Sequence, residues 1–299
     1  LSANDKGKGM KEPIGPGSHT NPIVVGGVGG SGTRLIAQCL KELGVFIGPD
    51  LNAANDNLWF TLLFKRTEIL NVSEDEFNEL VAIFINGMLG SEEFSNQQTE
   101  LIKAVASEDR GEHPASWLRD RARTLLSSKP MSLPSTRWGW KEPNSHIVLG
   151  RLIERFQNMK YIHVVRNGLD MAHSRNQNQL RFWGRYFIGE DFDISPYYSF
   201  KYWCIIHRRV LDITRSTGAN VLFLNYDNFC LNPEDGISEL CGFLELDPDS
   251  ALKSSLLALV SPPDSIGRFM KFGIKIFDEE DVAYVKKLGF DVGETTAPV

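Results

Sequence analysis

The sequence predicts an α/β fold, a parallel β-sheet flanked by helices with a helical insertion. Three observations carry this. Short apolar runs occur at 22–27 (PIVVGG), 160–165 (KYIHVV) and 221–224 (VLFL); the first, rich in β-branched residues, reads as a buried parallel strand and the others as two further strands. Segments with helical spacing lie between them, the alternation of a parallel sheet with crossover helices. The 299 residues, 42% hydrophobic and 23% charged, have an ordinary globular composition, which excludes wholesale disorder.

The opening stretch, residues 1–20, is polar and rich in Gly and Pro. It lacks the apolar core of a signal peptide and reads as a flexible tail; whether a targeting or anchoring segment precedes it stays open. The first strand follows, then a Gly-rich turn, VGGSGT. A helix begins at Thr33, with Leu35, Ile36, Cys39, Leu40 and Leu43 on one face and Gly44 as its stop. Residues 71–130 form the insertion, a common place for a substrate lid. Ser73 and Glu76 match a capping box. Phe77, Leu80, Val81, Phe84, Ile85 and Met88 then make one apolar stripe. A second helix is expected over 94–106 and a third from Pro114. Beyond 160–165, an aromatic-rich helix of about twenty residues follows Pro196. Another is capped by Asn232-Pro233, and a last one, 279–288, is closed by Gly289. Residues 21–299 are expected to form one domain.

Charge and cysteine usage narrow the functions. Lys and Arg total 32 against 38 Asp and Glu, a net charge of −6, which is not the basic excess of a nucleic-acid-binding chain. No run approaches the ~18 apolar residues of a membrane span. Cys39, Cys204, Cys230 and Cys241 are far apart, so neither a metal site nor a disulfide scaffold is expected, and a reducing, cytoplasmic setting is the default.

Glycines between a strand and a helix let backbone N–H groups approach an anion, and the helix dipole favours it there. Two nucleotide motifs compete for residues 27–34. Gly27-Val-Gly29-Gly-Ser-Gly32 matches a dinucleotide fingerprint, with Asp50 18 residues further on, but the intervening segment is broken by Gly48 and Pro49. The same glycines match a triphosphate-binding loop, except that Thr33 stands where its Lys belongs and Arg34 where its Mg²⁺-binding hydroxyl belongs.

Gly29-Gly30-Ser31-Gly32-Thr33-Arg34 resembles the first loop of sulfotransferases that use 3′-phosphoadenosine 5′-phosphosulfate (PAPS), which typically reads P-[KR]-S-G-T-T. Gly30 replaces its basic residue and Arg34 its second Thr. The family also has a strand ending in Arg with a Ser eight residues later, both gripping the 3′-phosphate, and residues 163–174 (HVVRNGLDMAHS) look like that motif through Arg166 and Ser174. A strand-end guanidinium offers a bidentate fork to a phosphate. Residues 221–233, through Tyr226 and Asp227, are similar to the family's Tyr-Glu-Asp-Leu stretch. Ser265-Ile-Gly267-Arg268 looks like its late Gly/basic loop over the 3′-phosphate. The resemblance covers residues 22–290 in pieces. It implies a P-loop-like fold and a metal-free transferase whose cofactor-binding residues are Gly29, Gly30, Ser31, Gly32, Thr33, Arg34, Arg166, Ser174, Tyr226, Gly267 and Arg268. PAPS would be the donor and adenosine 3′,5′-bisphosphate the product.

Lys141, in Trp138-Gly-Trp140-Lys141-Glu142-Pro143, is similar to the Lys-[DE]-Pro stretch of tyrosylprotein sulfotransferases and implies a catalytic lysine. A bare reading of the residues allows a surface lysine lying on Trp140. The acceptor hydroxyl needs a base. Asp56, just before Leu58-Trp59-Phe60, is the first choice, with Asp50, Glu142 and His146 behind it; Asp56 serves equally well as a helix N-cap. Residues 181–187 (RFWGRYF) with Asn176, Asn178 and Gln179 would suit a sugar, so the expected partner is a glycan or small-molecule acceptor. A nucleotide kinase-like phosphotransferase and a non-catalytic bisphosphate-binding protein stay open as alternatives.

Overall fold

In a computed structural model, residues 21–90, 92–128 and 137–293 are described; the expected tail lies outside them. Four parallel strands, β1 (Ile23–Gly27), β2 (Gly139–Lys141), β3 (Lys160–Val165) and β4 (Val221–Asn225), form one sheet in the order β2-β1-β3-β4. Pairing aligns Val25 with Lys141, Gly27 with Val164, and Val165 with Asn225. All four strands therefore end on the same side. From β1 the chain moves to one neighbour, β2, then back across to the other, β3. A crevice opens at such a switch point, beyond the carboxyl ends of the strands.

The helices are α1 (Thr33–Glu42), α2 (Leu58–Phe64), α3 (Glu74–Leu89), α4 (Asn96–Val105), α5 (Ala115–Leu126), α6 (Leu149–Arg155), α7 (Gly168–Ala172), α8 (Asn178–Phe187), α9 (Pro196–Thr217), α10 (Tyr226–Leu231), α11 (Pro233–Leu244), α12 (Ser250–Leu259) and α13 (Glu279–Lys287). Strand alternation sends side chains to two faces. Ile23, Val25, Ile162, Val164 and Leu224 pack under α1, α11 and α12, whereas Val24, Trp140, Tyr161 and Val165 join the larger core with α2, α3 and α9. The insertion's stripe belongs to that larger core: Phe84 meets the Trp140 ring edge-on at 5.1 Å, and Phe60 stacks on it at 5.4 Å. Burying aromatics of this size is a main source of core stability.

Sequence and structure differ at particular places. Strand β2 and helices α8, α10 and α12 go beyond the elements read from the sequence. Ser73 accepts from Glu76 N, one half of the expected box, while the complete box is Ser95 with Gln98. Asn232 precedes α11 but caps it with no side-chain bond.

Candidate active site

The glycine loop leaves β1 at the switch point. Gly32 N-caps α1 at φ +97°, a left-handed conformation that favours glycine. A Cβ there would also land inside the Tyr226 ring. Ser31 is fully buried and its Oγ has no hydrogen-bond partner, although its backbone N–H donates to Val28 O at 3.0 Å. Thr33 is buried too, Gly30 is exposed at φ +95°, and Arg34 is exposed in the first turn of α1.

Arg166 follows β3 directly, so the register places it beside the loop. Its guanidinium lies 5.7 Å from the Tyr226 ring centroid, and Tyr226 in turn covers Gly32. The loop, the aromatic ring and the guanidinium are thus contiguous. Arg166 Nη2 donates to Ser265 Oγ, and Nε lies 3.5 Å from Asp227 Oδ1. Neither Arg166 Nε nor Asp227 Oδ1 makes a hydrogen bond. Burial raises the Asp227 carboxyl, partly countered by Asn167 N donating to it at 2.9 Å and by Arg166. The late loop is pinned to the same region. Asp170 accepts from Gly267 N at 2.8 Å and Phe269 N at 2.9 Å, and Arg268 Nη1 donates to His173 O at 3.4 Å. Asp170 is therefore occupied by the late loop, and Asp227 is the acid beside Arg166. Helix α7 ends at Ala172, so Ser174 stands just past it in a turn, half-buried, its Oγ accepting from Asn176 N at 3.2 Å.

Lys141 is not a surface lysine on Trp140. The two residues point to opposite faces of β2, and the Lys141 side chain is 3% exposed. Its Nζ donates to Asp56 Oδ1 and, at 3.1 Å, to Ala54 O. The other Asp56 oxygen accepts from Asn52 Nδ2 at 2.8 Å. The N-cap of α2 is Asn57, whose side chain accepts from Phe60 N, so the capping role falls to the neighbour and Asp56 is left to the lysine. The other candidate bases are engaged away from Lys141. Asp50 accepts from Arg121 and Thr124, each at 2.6 Å. Glu142 caps the turn Pro143–Val148 through Asn144 N. Burial lifts the Glu142 carboxyl to about 7, with Lys65 opposing and Asp56 adding to the rise. His146 is fully buried, and burial lowers its pKa to about 3.

The stretch expected to bind sugar divides. Trp183 is core, donating to Asn144 Oδ1 at 2.9 Å. Arg181 and Tyr186 face solvent, and half-buried Phe182 lies 5.8 Å from Lys65 Nζ. Asn176 and Asn178 are exposed, but Gln179 is buried against the glycine loop. From the sequence alone Asp170 could serve as an ion-pair partner of Arg166, and Asp227 and Ser265 appear only within matching stretches; in the structure Arg166 meets Asp227 and Ser265 instead. Among the described residues, no cluster of three or more His, Cys, Asp or Glu side chains could hold a metal ion, and no helix is long and apolar enough to cross a membrane.

The fold and site define a parallel α/β protein with a glycine loop and a strand-end arginine at one switch point. The model of the sulfotransferase family matches residues 22–250, and the chain belongs to that family. Solved structures with which it aligns include the sulfotransferase domain of the olefin synthase of Synechococcus PCC 7002 (16% identity, 97% of this chain and 100% of that one, TM-score 0.46). The sulfotransferase domain of the curacin biosynthetic pathway aligns at 16% identity over 91% of this chain and 99% of that one, TM-score 0.47. Sulfotransferase STF9 of Mycobacterium avium does so at 13% identity over 91% and 77%, TM-score 0.46. No curated protein matches the chain.

Proposed function

We propose that the chain moves the sulfuryl group of PAPS onto an acceptor hydroxyl, with a carbohydrate as the acceptor class. The observation that carries this is the continuity of the Ser31 loop, the Tyr226 ring and the Arg166 guanidinium across the top of β1, β3 and β4. It suits one adenylate with an anionic group at each end. The buried, unpartnered Ser31 Oγ and the unbonded Arg166 Nε are polar atoms that a phosphate would satisfy. The amides of Gly29 to Thr33, with Ser31 and Thr33 hydroxyls, would hold the 5′ end, and Arg34 would supply charge at the loop's mouth. Arg166, Ser174, Gly267 and Arg268 would hold the 3′-phosphate, and Tyr226 would meet the adenine.

In this reading Asp56 accepts the proton of the acceptor hydroxyl. The acceptor oxygen forms a bond to sulfur as the bond between sulfur and the bridging phosphate oxygen breaks. Lys141 offsets the charge gathering on that oxygen, and adenosine 3′,5′-bisphosphate and a sulfate ester leave. A sulfuryl group carries less charge than a phosphoryl group, so oriented amides and cations suffice for it. Supporting a sugar, Asn176 borders the loop at Gly29, and α8 presents Arg181 and Tyr186 beyond it.

Titration calorimetry tests the donor. Adenosine 3′,5′-bisphosphate is expected to bind at least tenfold tighter than AMP, and Arg166→Ala to remove most of that difference. Equal affinities for the two nucleotides would reject the reading. Labelled PAPS offered with sugars, tyrosyl peptides and simple alcohols tests the acceptor; label on peptide alone would reject a carbohydrate.

A further inference from the structure

Gln179 lies at the start of α8, 6% exposed, and its side-chain amide links the end of β1 to the turn that follows β2. Its Nε2 donates to Gly27 O, the last carbonyl of β1, at 3.2 Å, and its Oε1 meets His146 Nε2 at 3.2 Å. The first contact fixes the orientation of the amide, because a carbonyl can only accept. The oxygen must then face His146, so His146 carries its proton on Nε2. His146 belongs to the turn immediately after Lys141 and Glu142, and Trp183, one turn further along α8, bonds Asn144 of the same turn.

We propose that Gln179, held by His146, is a positioning residue that sets the glycine loop and keeps it in register with the Lys141 segment. The physical link is the peptide plane. In a trans peptide the C=O and the following N–H point in opposite directions. Holding the Gly27 carbonyl toward α8 turns the Val28 N–H the other way and fixes how the chain enters the loop. Glycines make that entry pliable, so an external tether has something to do. The inference rests on the donor reading above.

The test is adenosine 3′,5′-bisphosphate affinity and steady-state kinetics for four variants. Gln179→Met keeps length and volume but loses both hydrogen bonds, leaving buried groups unpaired. It should weaken bisphosphate binding about tenfold and raise the KM for PAPS while leaving the acceptor KM within twofold. His146→Leu should do the same. His146→Gln places an amide nitrogen where Nε2 stands, so it should bind within about threefold of the parent chain. Ile237→Val, a buried control in the core on the other face of the sheet, reports general loosening and should leave binding unchanged. Parent-like binding by both Gln179→Met and His146→Leu would overturn the proposal. So would His146→Gln binding as poorly as His146→Leu, or acceptor KM rising in step with that for PAPS. A parent chain that binds no bisphosphate would instead remove the donor reading, and this proposal with it.

Discussion

Acidification from pH 7 to 5 is expected to destabilise the fold through three histidines that it buries uncharged. His146, His163 and His207 are fully buried, with His163 centred 6.3 Å from His146 and 5.0 Å from His207. Burial lowers His146 to about 3 and His207 to about 4, and it drives His163 well below its ordinary value, with the other two imidazoles adding to that fall. In the unfolded chain each titrates near 6.5. Below that pH the unfolded state binds protons that the folded state refuses, so stability is lost progressively from about 6.5 down toward the folded values. Between pH 7 and 5 the loss is about 2 kcal/mol for each of His146 and His207, and His163 adds in the same direction. Glu142 opposes them. Burial raises its carboxyl to about 7, so the folded chain takes up a proton over this interval that the unfolded chain takes up only lower, returning part of the loss. The net fall is a sizeable share of a typical stability of roughly 5–15 kcal/mol. Urea unfolding at a series of pH values measures it. His207→Asn isolates one contributor, since the amide can donate to Trp203 O as His207 Nδ1 does at 2.6 Å but cannot titrate. The slope of unfolding free energy against pH near 5 should drop by about one proton. Equal stability at pH 7 and 5, or an unaltered slope in the variant, would refute the reasoning.

Three further outcomes follow from the site. Lys141→Ala should lower kcat by about 10²–10³-fold, the usual cost of one charge-stabilising donor, with bisphosphate affinity by calorimetry nearly unchanged. Asp56→Asn should lower kcat while leaving bisphosphate affinity nearly unchanged, since an amide cannot accept the acceptor's proton. Gly32→Ala adds a Cβ inside the Tyr226 ring at φ +97°. Its bisphosphate affinity should fall at least tenfold, and Gly32→Ala with Tyr226→Ala should bind no worse than Tyr226→Ala alone by more than the ~1–2 kcal/mol of left-handed backbone strain.

Strands β1 and β3 were legible because burial on both faces leaves no other composition open to them, and the half-buried edge strand β4 keeps a similar apolar run. Strand β2 was not: Gly139–Lys141 has three residues and no apolar run, and it is a strand only because Ile23, Val24 and Val25 pair with it. Helix α8 hides behind glycine and arginine, and only one side of it, Gln179, Leu180, Trp183 and Gly184, is buried. At the site, spacing put Arg166 and Ser31 at one end of the sheet, because residues following neighbouring parallel strands share an end. Spacing did not tell Asp56 from Asn57, since both residue types cap helices and the choice is made by Lys141, 85 residues away. Nor did it reveal the Gln179 tether, which depends on a carbonyl, and carbonyls leave no mark in a sequence.

The glycine at position 30, where similar loops carry a basic residue, tests how the site balances charge. Gly30 has φ +95° and an open surroundings, with only Asn176 Nδ2, at 3.9 Å, near the place of a Cβ. A lysine fits there sterically but pays about 1 kcal/mol of backbone strain. Being exposed, its attraction to a phosphate is screened at physiological salt and worth about 1 kcal/mol or less. Gly30→Lys should therefore bind adenosine 3′,5′-bisphosphate within a few-fold of the parent chain at 0.15 M salt and gain only as salt is lowered. A hundredfold gain at the higher salt would mean that Arg34, Arg166 and the loop amides leave the anion short of positive charge, and that the clasp built from them is incomplete.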